Sequence, residues 1–377
     1  MMMESILFIV EPIDDSYSVQ YELIDTLASM FRGIYSVYVF SPYIGERRRI
    51  KLRENGINVI GGNGLFLFNK ILSIIGRSNE SMLWMESWAR ESFFGLNRRM
   101  LSRLGEFDHV INMTTSVYVR SEIWWIQGKI LSDSLDEISK TNENIRGITR
   151  FVNPFIRILD RKTLRKMSEL SRHIVTNASH LRSYYMNKGV SVDGVIYTPK
   201  DFSKFRPSDI EKRDYVLTYI GKETDVETIL DIAGRGIRIV GFGSKIPVGI
   251  STRELRDKID FRGYVSDEEL VNLYSGARFT AFPFTEEPFG YVPIESMACG
   301  TPVLSYDRQG PSETIINGKT GWLVPGREEF IEMAVKLWEE GSTISREECT
   351  ERASEFSPGK TFNSLMELIV RGMSSNQ

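Results

Sequence analysis

Short runs of branched and aromatic residues alternate along this chain with longer amphipathic stretches. The first run, Ile6-Leu7-Phe8-Ile9-Val10, has no polar interruption, as expected of a strand buried on both faces. A polar loop from Glu11 to Ser18 follows. Apolar positions then recur at helical spacing from Val19 to Phe31, and Val37-Tyr38-Val39-Phe40 reads as a second strand. Strand, helix and strand joined by short links predict a parallel α/β sheet. Further strands are predicted at Asn58–Ile60, Val110–Asn112, Ile123–Ile126, Ile174–Thr176 and Val195–Tyr197, with helical patterns between them.

A polar stretch bounded by Pro199 and Pro207 interrupts this pattern and reads as a linker. The same order then restarts with a strand at Tyr215–Ile220, a helix at Val226–Ala233 and a strand at Ile237–Val240. Strands recur near Phe261, at Phe279–Phe282, at Val303 and at Trp322–Val324. The pattern predicts two Rossmann-like domains, residues 1–202 and 203–358. A last helical pattern, about Thr361 to Val370, follows the break at Ser357-Pro358-Gly359 and lies in a closing segment, residues 359–377. Ligands of such sheets bind outside the carboxyl ends of the strands.

Bulk composition adds bounds. A chain of 377 residues exceeds one ordinary core and suits two domains. No run of about 20 apolar residues predicts a membrane span, and no secretory leader is visible, so a cytoplasmic location is expected. Cys299 and Cys349 are too few for a disulfide framework or a cysteine metal site. His109, His173 and His180 lack ligand spacing, so no metal is expected. The first half is net positive and the second net negative, an asymmetry too mild to imply nucleic-acid binding.

The candidate chemistry centres on Glu287-Pro288-Phe289-Gly290-Tyr291-Val292-Pro293-Ile294-Glu295. Two carboxylates flank a Pro/Gly loop that opens a helix ending at Gly300. The first amides of a helix have no internal partner, and its dipole is positive there, so the start of this helix suits a phosphate. Gly290 allows close backbone approach, and Pro293 fits a first helical turn. Carboxylates beside such a site suit sugar or ribose hydroxyls. Taken singly, Glu295 reads more readily as a carboxylate placed at the helix dipole, and Glu287 as a solvated loop acid.

The surrounding order is more specific. Gly221 follows a strand, and Gly241-Phe242-Gly243 ends another. Phe261-Arg262-Gly263-Tyr264-Val265-Ser266-Asp267-Glu268-Glu269-Leu270 precedes Tyr274. Phe282-Pro283 leads into the acidic segment, and Glu295-Ser296-Met297-Ala298-Cys299-Gly300-Thr301-Pro302-Val303 closes it, followed by Gly310, Glu313, Gly318 and Gly321. Across residues 221–324 this set resembles the donor-sugar domain of retaining GT-B glycosyltransferases, family 4 in particular. The resemblance implies a GT-B fold of two Rossmann-like domains facing across a cleft, with the C-terminal helix crossing back to the first. It also implies a metal-independent hexosyltransferase without a cofactor, acting on a nucleoside diphosphate sugar and a glycan or lipid-linked acceptor.

By the same resemblance Glu287 and Lys222 are the catalytic residues. Lys222 would neutralise the leaving diphosphate and Glu287 would face the transferred sugar. Gly221, Gly243, Tyr264, Val265, Phe289, Gly290, Tyr291 and Glu295 would bind the donor, with Glu295 on the ribose. Two departures stand out. Gly221-Lys222 replaces the family's Gly-Arg, and Glu223-Thr224-Asp225-Val226-Glu227 lacks the second cation, for which Lys245 is a candidate. In the first domain the loop Pro12–Ser18 has no glycine, so Asp15 and Ser16 are candidate acceptor contacts. Gln127 stands where relatives carry His. Thr114-Thr115-Ser116 reads as cleft lining or as a helix cap. The basic runs Arg47–Lys51, Arg98–Arg103 and Arg161–Lys166, with the apolar run Gly64–Ile75, read either as ordinary helix faces and core or as a peripheral contact at the inner membrane face. Two further readings stay open, a non-catalytic nucleotide-sugar-binding protein and a GT-B nucleotide-sugar epimerase.

Overall fold

The structure is a computed structural model that describes residues 3–15, 19–62, 80–141, 143–221, 223–243, 246 and 250–374. The chain divides into two compact units, Met1–Pro199 with Pro358–Gln377, and Lys200–Ser357.

The first unit runs β1 (Ser5–Ile9), α1 (Val19–Phe31), β2 (Ser36–Ser41), α2 (Glu46–Glu54), β3 (Asn58–Gly61) and α3 (Glu80–Ala89). A π-helical turn (Arg90–Phe94) leads to α4 (Leu96–Leu101), β4 (His109–Asn112), β5 (Ser121–Ile126), α5 (Leu131–Thr141), α6 (Glu143–Leu170), β6 (Ser171–Thr176), α7 (Ser179–Met186) and β7 (Gly194–Val195). Its seven strands are all parallel, in the order β3-β2-β1-β4-β5-β6-β7. β1 lies inside the sheet between β2 and β4, and Ile6, Leu7, Phe8 and Ile9 are fully buried, which explains its unbroken apolar run. Leu23, Ile24, Leu27 and Phe31 of α1 close one face. The strand predicted at Val195–Tyr197 is observed as Gly194–Val195; just beyond it Ile196 N donates to the Thr176 carbonyl at 2.9 Å and the Tyr197 carbonyl accepts from the Thr361 hydroxyl at 2.9 Å.

The second unit runs β8 (Val216–Tyr219), α8 (Val226–Gly234), β9 (Ile239–Phe242), α9 (Thr252–Lys258), β10 (Asp260–Gly263), α10 (Asp267–Gly276) and β11 (Thr280–Phe282). It continues through α11 (Tyr291–Ala298), β12 (Val303–Tyr306), α12 (Pro311–Thr314), β13 (Gly321–Val324), α13 (Arg327–Glu340) and α14 (Arg346–Ser354). Its six parallel strands are ordered β10-β9-β8-β11-β12-β13. The final helix α15 (Pro358–Ser374) belongs to the first unit. There Leu365 and Ile369 enter the core, and Phe362 meets Phe31 edge-on with ring centroids 4.9 Å apart. Each such fully buried side chain stabilises the fold by roughly 1.5–3 kcal/mol.

Both sheets reverse strand order once near the middle, between β1 and β4 and between β8 and β11. Those are the points where a crevice opens beyond the carboxyl ends of the strands.

Candidate functional site

The loops that leave β8 and β11 flank the switch point of the second sheet and are bound to each other through the backbone. Thr285 N donates to the Glu223 carbonyl at 2.7 Å, and Asp225 N to the Pro283 carbonyl at 3.0 Å. Thr224 ties the first loop together. Its hydroxyl accepts from Gly221 N at 2.9 Å and donates to the Tyr219 carbonyl at 3.0 Å. A Cβ on Gly221 would lie 2.3 Å from the Tyr219 ring, so that position must be glycine. Gly243 approaches the end of β8 with φ +129, and its amide donates to the Gly263 carbonyl at 2.8 Å. That amide is therefore already engaged within the fold.

The acidic segment forms a second tight loop. The Glu287 carboxylate turns back on its own chain and accepts from Phe289 N at 3.2 Å and Gly290 N at 2.9 Å. Its backbone amide donates to Gln309 Oε1 at 2.6 Å, and its carbonyl accepts from Gly310 N at 3.1 Å. Gln309 has φ 53, and it alone among the described non-glycine residues has a positive φ. Two of the amides expected to meet a phosphate are thus held by Glu287 itself. Gly290, with φ 96, opens α11 without a capping side chain, so the first turn of that helix is the remaining anion-facing element.

One turn into α11, Glu295 is buried. Its Oε1 pairs with Lys200 Nζ at 2.6 Å, and its Oε2 accepts from the Tyr274 hydroxyl at 3.3 Å. The Lys200 ammonium also lies over the rings of Phe205 at 4.8 Å and Tyr291 at 5.5 Å. A cation therefore sits beside the start of α11. Its sequence position, 95 residues before Glu295, carried no signal of this. Tyr219 is a second residue the sequence did not single out. Desolvation, then the charges of Glu223, Glu287 and Glu295, raise its phenol well above the ordinary value, which places three acids around one half-buried ring. Phe289 is buried against Phe356, with centroids 5.8 Å apart. Tyr264 stands largely exposed after β10, and Val265 is half-buried just before the Ser266 cap of α10. Lys222 and Lys245 lie outside the described residues.

In the first unit, Asp15 Oδ1 accepts from Arg48 N at 3.2 Å. This caps the third amide of α2, whose own N-cap, Gly45, has no side chain to do so. Ser16 lies outside the described residues. Gln127, just past β5, accepts from Asn177 Nδ2 at 3.3 Å. The acid at this sheet's switch point is Glu11, which follows β1. It accepts from Thr115 N at 2.8 Å and from the Ser116 hydroxyl at 2.5 Å, which joins the loops after β1 and β4. Burial pushes its carboxyl up to about 7 despite these donors.

Fold and site together define the class: two all-parallel Rossmann-like sheets of the GT-B fold, the second carrying acids at its switch point. Residues 216–356 match the family model "Glycosyl transferases group 1", so the second unit carries that domain. D-inositol 3-phosphate glycosyltransferase of Mycolicibacterium smegmatis is 25% identical over 220 residues, covering 52% of this chain and 49% of the relative. A probable sucrose-phosphate synthase of Thermosipho melanesiensis is 42% identical over 86 residues, covering 22% of this chain and 20% of that one. The matches span about half, or less, of the length of these curated relatives. Among solved structures, Anabaena Alr3699/HepE in complex with UDP-glucose superposes with a TM-score of 0.61 at 15% identity, over 97% of this chain and 99% of that one. Sucrose-phosphate synthase from Thermosynechococcus elongatus gives 0.61 at 15% identity, over 99% and 100%.

Proposed function

We propose that this protein is a retaining hexosyltransferase of the family 4 type, moving a sugar from a nucleoside diphosphate sugar to a hydroxyl of a glycan or lipid-linked acceptor. The observation that carries this reading is the gathering of Glu287, Glu295 and Lys200 around the uncapped start of α11 at the switch point of the second sheet. The relatives and the superposed UDP-glucose complex point the same way.

In this reading the diphosphate lies against the first turn of α11, with Lys200 and Lys222 as cations. Glu295, held between Lys200 and Tyr274, accepts ribose hydroxyls. Glu287 faces the sugar and stabilises positive charge growing at the anomeric carbon. The anomeric carbon–phosphate oxygen bond breaks on the face where the acceptor oxygen bonds. The acceptor proton passes to the leaving diphosphate. No metal or cofactor is invoked. The proposed setting is the cytoplasm, at the inner face of the membrane when the acceptor is lipid-linked.

A second reading, a nucleotide-sugar-binding protein without turnover, draws on the way Glu287 closes over the amides of Phe289 and Gly290. Glu287→Gln separates the two readings, because the amide oxygen still accepts both loop hydrogen bonds while the charge is gone. Transfer or hydrolysis of UDP-glucose by the wild type is expected to fall roughly 10²–10³-fold in this variant, with UDP affinity retained. A wild type that binds UDP-glucose without ever consuming it would establish the second reading. Full activity in the variant would remove Glu287 from the chemistry.

A further inference from the structure

Helix α6 has its polarity reversed between Ile148 and Thr163. The side chains turned inward are polar. Thr149, Asn153, Asp160 and Thr163 are buried. Asn153 Nδ2 donates to the Ser132 carbonyl at 2.9 Å and to the Asp136 carboxylate, which also pairs with Arg157, and Asp160 Oδ2 accepts from Ser132 N at 2.8 Å. Hydrogen bonds to α5 therefore hold this stretch of the helix.

The side chains turned outward are apolar. Ile148, Phe151, Val152, Phe155 and Ile158 are all exposed, Phe151 to 88%. Their spacing of i, i+3, i+4, i+7 and i+10 puts them on one stripe, where a surface helix of a soluble protein normally carries charge. The π-helical turn widens the stripe. Phe93 stacks on Phe155 with centroids 6.0 Å apart, and Phe94 is exposed beside it. Arg150, Arg161 and Lys162 are exposed on the same helix, Arg165 is exposed but pairs with Glu169 at 2.8 Å, and no exposed residue described between 146 and 165 is acidic.

The helix also puts this face in a useful place. α6 ends at Leu170 and β6 begins at Ser171, at the amino edge of the strands. A helix of 28 residues is about 42 Å long, and a six-residue strand spans only about 20 Å. Ser132, which follows the carboxyl end of β5, bonds both Asn153 and Asp160, so the stripe beside them lies toward the carboxyl edge of the first sheet, where Glu11, Ser116 and Gln127 lie.

We propose that this face of α6, with Phe93 and Phe94, docks on an anionic lipid bilayer. Aromatic and branched side chains enter the interface while the Arg and Lys side chains meet anionic headgroups. No helix among the described residues is long and apolar enough to cross a membrane, so the contact is peripheral. Charge selects the occupant, since an exposed apolar stripe whose exposed neighbours on the helix are basic matches an anionic surface. The other basic runs fit less well. Arg49 is buried on the Gly61 carbonyl, Arg48 lies on the Tyr21 ring 4.3 Å away, and Arg98 is drawn toward Glu91. The run Gly64–Ile75 lies outside the described residues.

The inference deepens the proposed function by making the acceptor lipid-borne, but its test needs no turnover. The whole chain is sedimented with phosphatidylglycerol–phosphatidylcholine vesicles and with pure phosphatidylcholine vesicles, without nucleotide. It is expected to pellet with the anionic vesicles and to be released by salt. Ile148→Ser/Phe151→Ser and Arg150→Glu/Arg161→Glu should each lower binding roughly tenfold or more, with unfolding temperature and UDP affinity unchanged. Wild-type protein left in the supernatant, or an Ile148→Ser/Phe151→Ser variant that binds like wild type, would overturn the proposal. So would a wild-type dimer that this variant converts to a monomer without any lipid binding, since the stripe would then be a subunit interface. UDP affinity measured on the same samples reports on the donor site alone, so failure of the docking proposal is distinguishable from failure of the functional one.

Discussion

Two charged side chains, Lys200 and Glu11, carry most of what the structure adds at the scale of single residues. Lys200 places a cation beside Glu295 and Tyr291, at the helix start where a diphosphate is proposed to lie. Lys200→Met keeps an unbranched apolar side chain of similar length and removes the charge that lies over Phe205. Calorimetry is expected to show UDP affinity falling about tenfold, with uridine affinity nearly unchanged. Equal losses for both would limit Lys200 to supporting Glu295. Glu11 predicts a pH dependence. Its pKa is raised by burial from 4.5 to about 7, so the folded state holds the proton more tightly than the unfolded state. Its contribution to stability is full below about 4.5, falls as pH rises through about 7 and is flat above, a change of order 2 kcal/mol. Glu11→Gln mimics the protonated form, so its melting temperature should fall less between pH 5 and 8 than that of the wild type. Parallel profiles for the two proteins would show that Glu11 is not the group that titrates.

At the scale of elements, the donor site depends on two loops held together. Gly310 lies against the Phe289 backbone, and a Cβ there would be 2.2 Å from the Phe289 carbonyl oxygen. Its own φ is ordinary for any residue, −56, so the constraint is purely steric. Gly310→Ala should push the loop after β12 away from residues 287–290. UDP-glucose affinity is expected to fall by a factor of ten or more, with a stability loss of about 1–3 kcal/mol. Wild-type affinity in that variant would mean the two loops need not touch. α11 shows how far local pattern reaches. Its start at Tyr291 and its end before Gly300 follow from turn chemistry and spacing. The folding of the Glu287 carboxylate onto Phe289 N and Gly290 N does not, because an acid four residues before a helix start can equally point to solvent.

On the scale of the molecule, two units with separate cores predict calorimetric unfolding in more than one step. The proposed donor elements all belong to the second unit. Saturating UDP should therefore raise only the transition of that unit, by about 2.7 kcal/mol at a ligand concentration one hundred times Kd. A shift in the other transition alone would move the nucleotide site to the first unit.

The alternation of apolar strands and amphipathic helices determined by itself that there are two parallel sheets, because burial on both faces demands unbroken apolar runs. The ordered glycines and acids of residues 221–324 determined the family resemblance of the second. Only the tertiary structure decided which partners the polar groups take. Glu295 meets Lys200 across 95 residues, Glu11 meets Ser116 across 105, and Asp15 caps a helix outside its own segment. The outward apolar face of α6 was likewise not legible, since periodicity shows that a stripe exists but not whether it faces core or solvent. Local pattern is set by covalent geometry and burial along the chain. Partnerships between distant charges are set by where the strand ends bring their loops, and nothing local in the sequence encodes that.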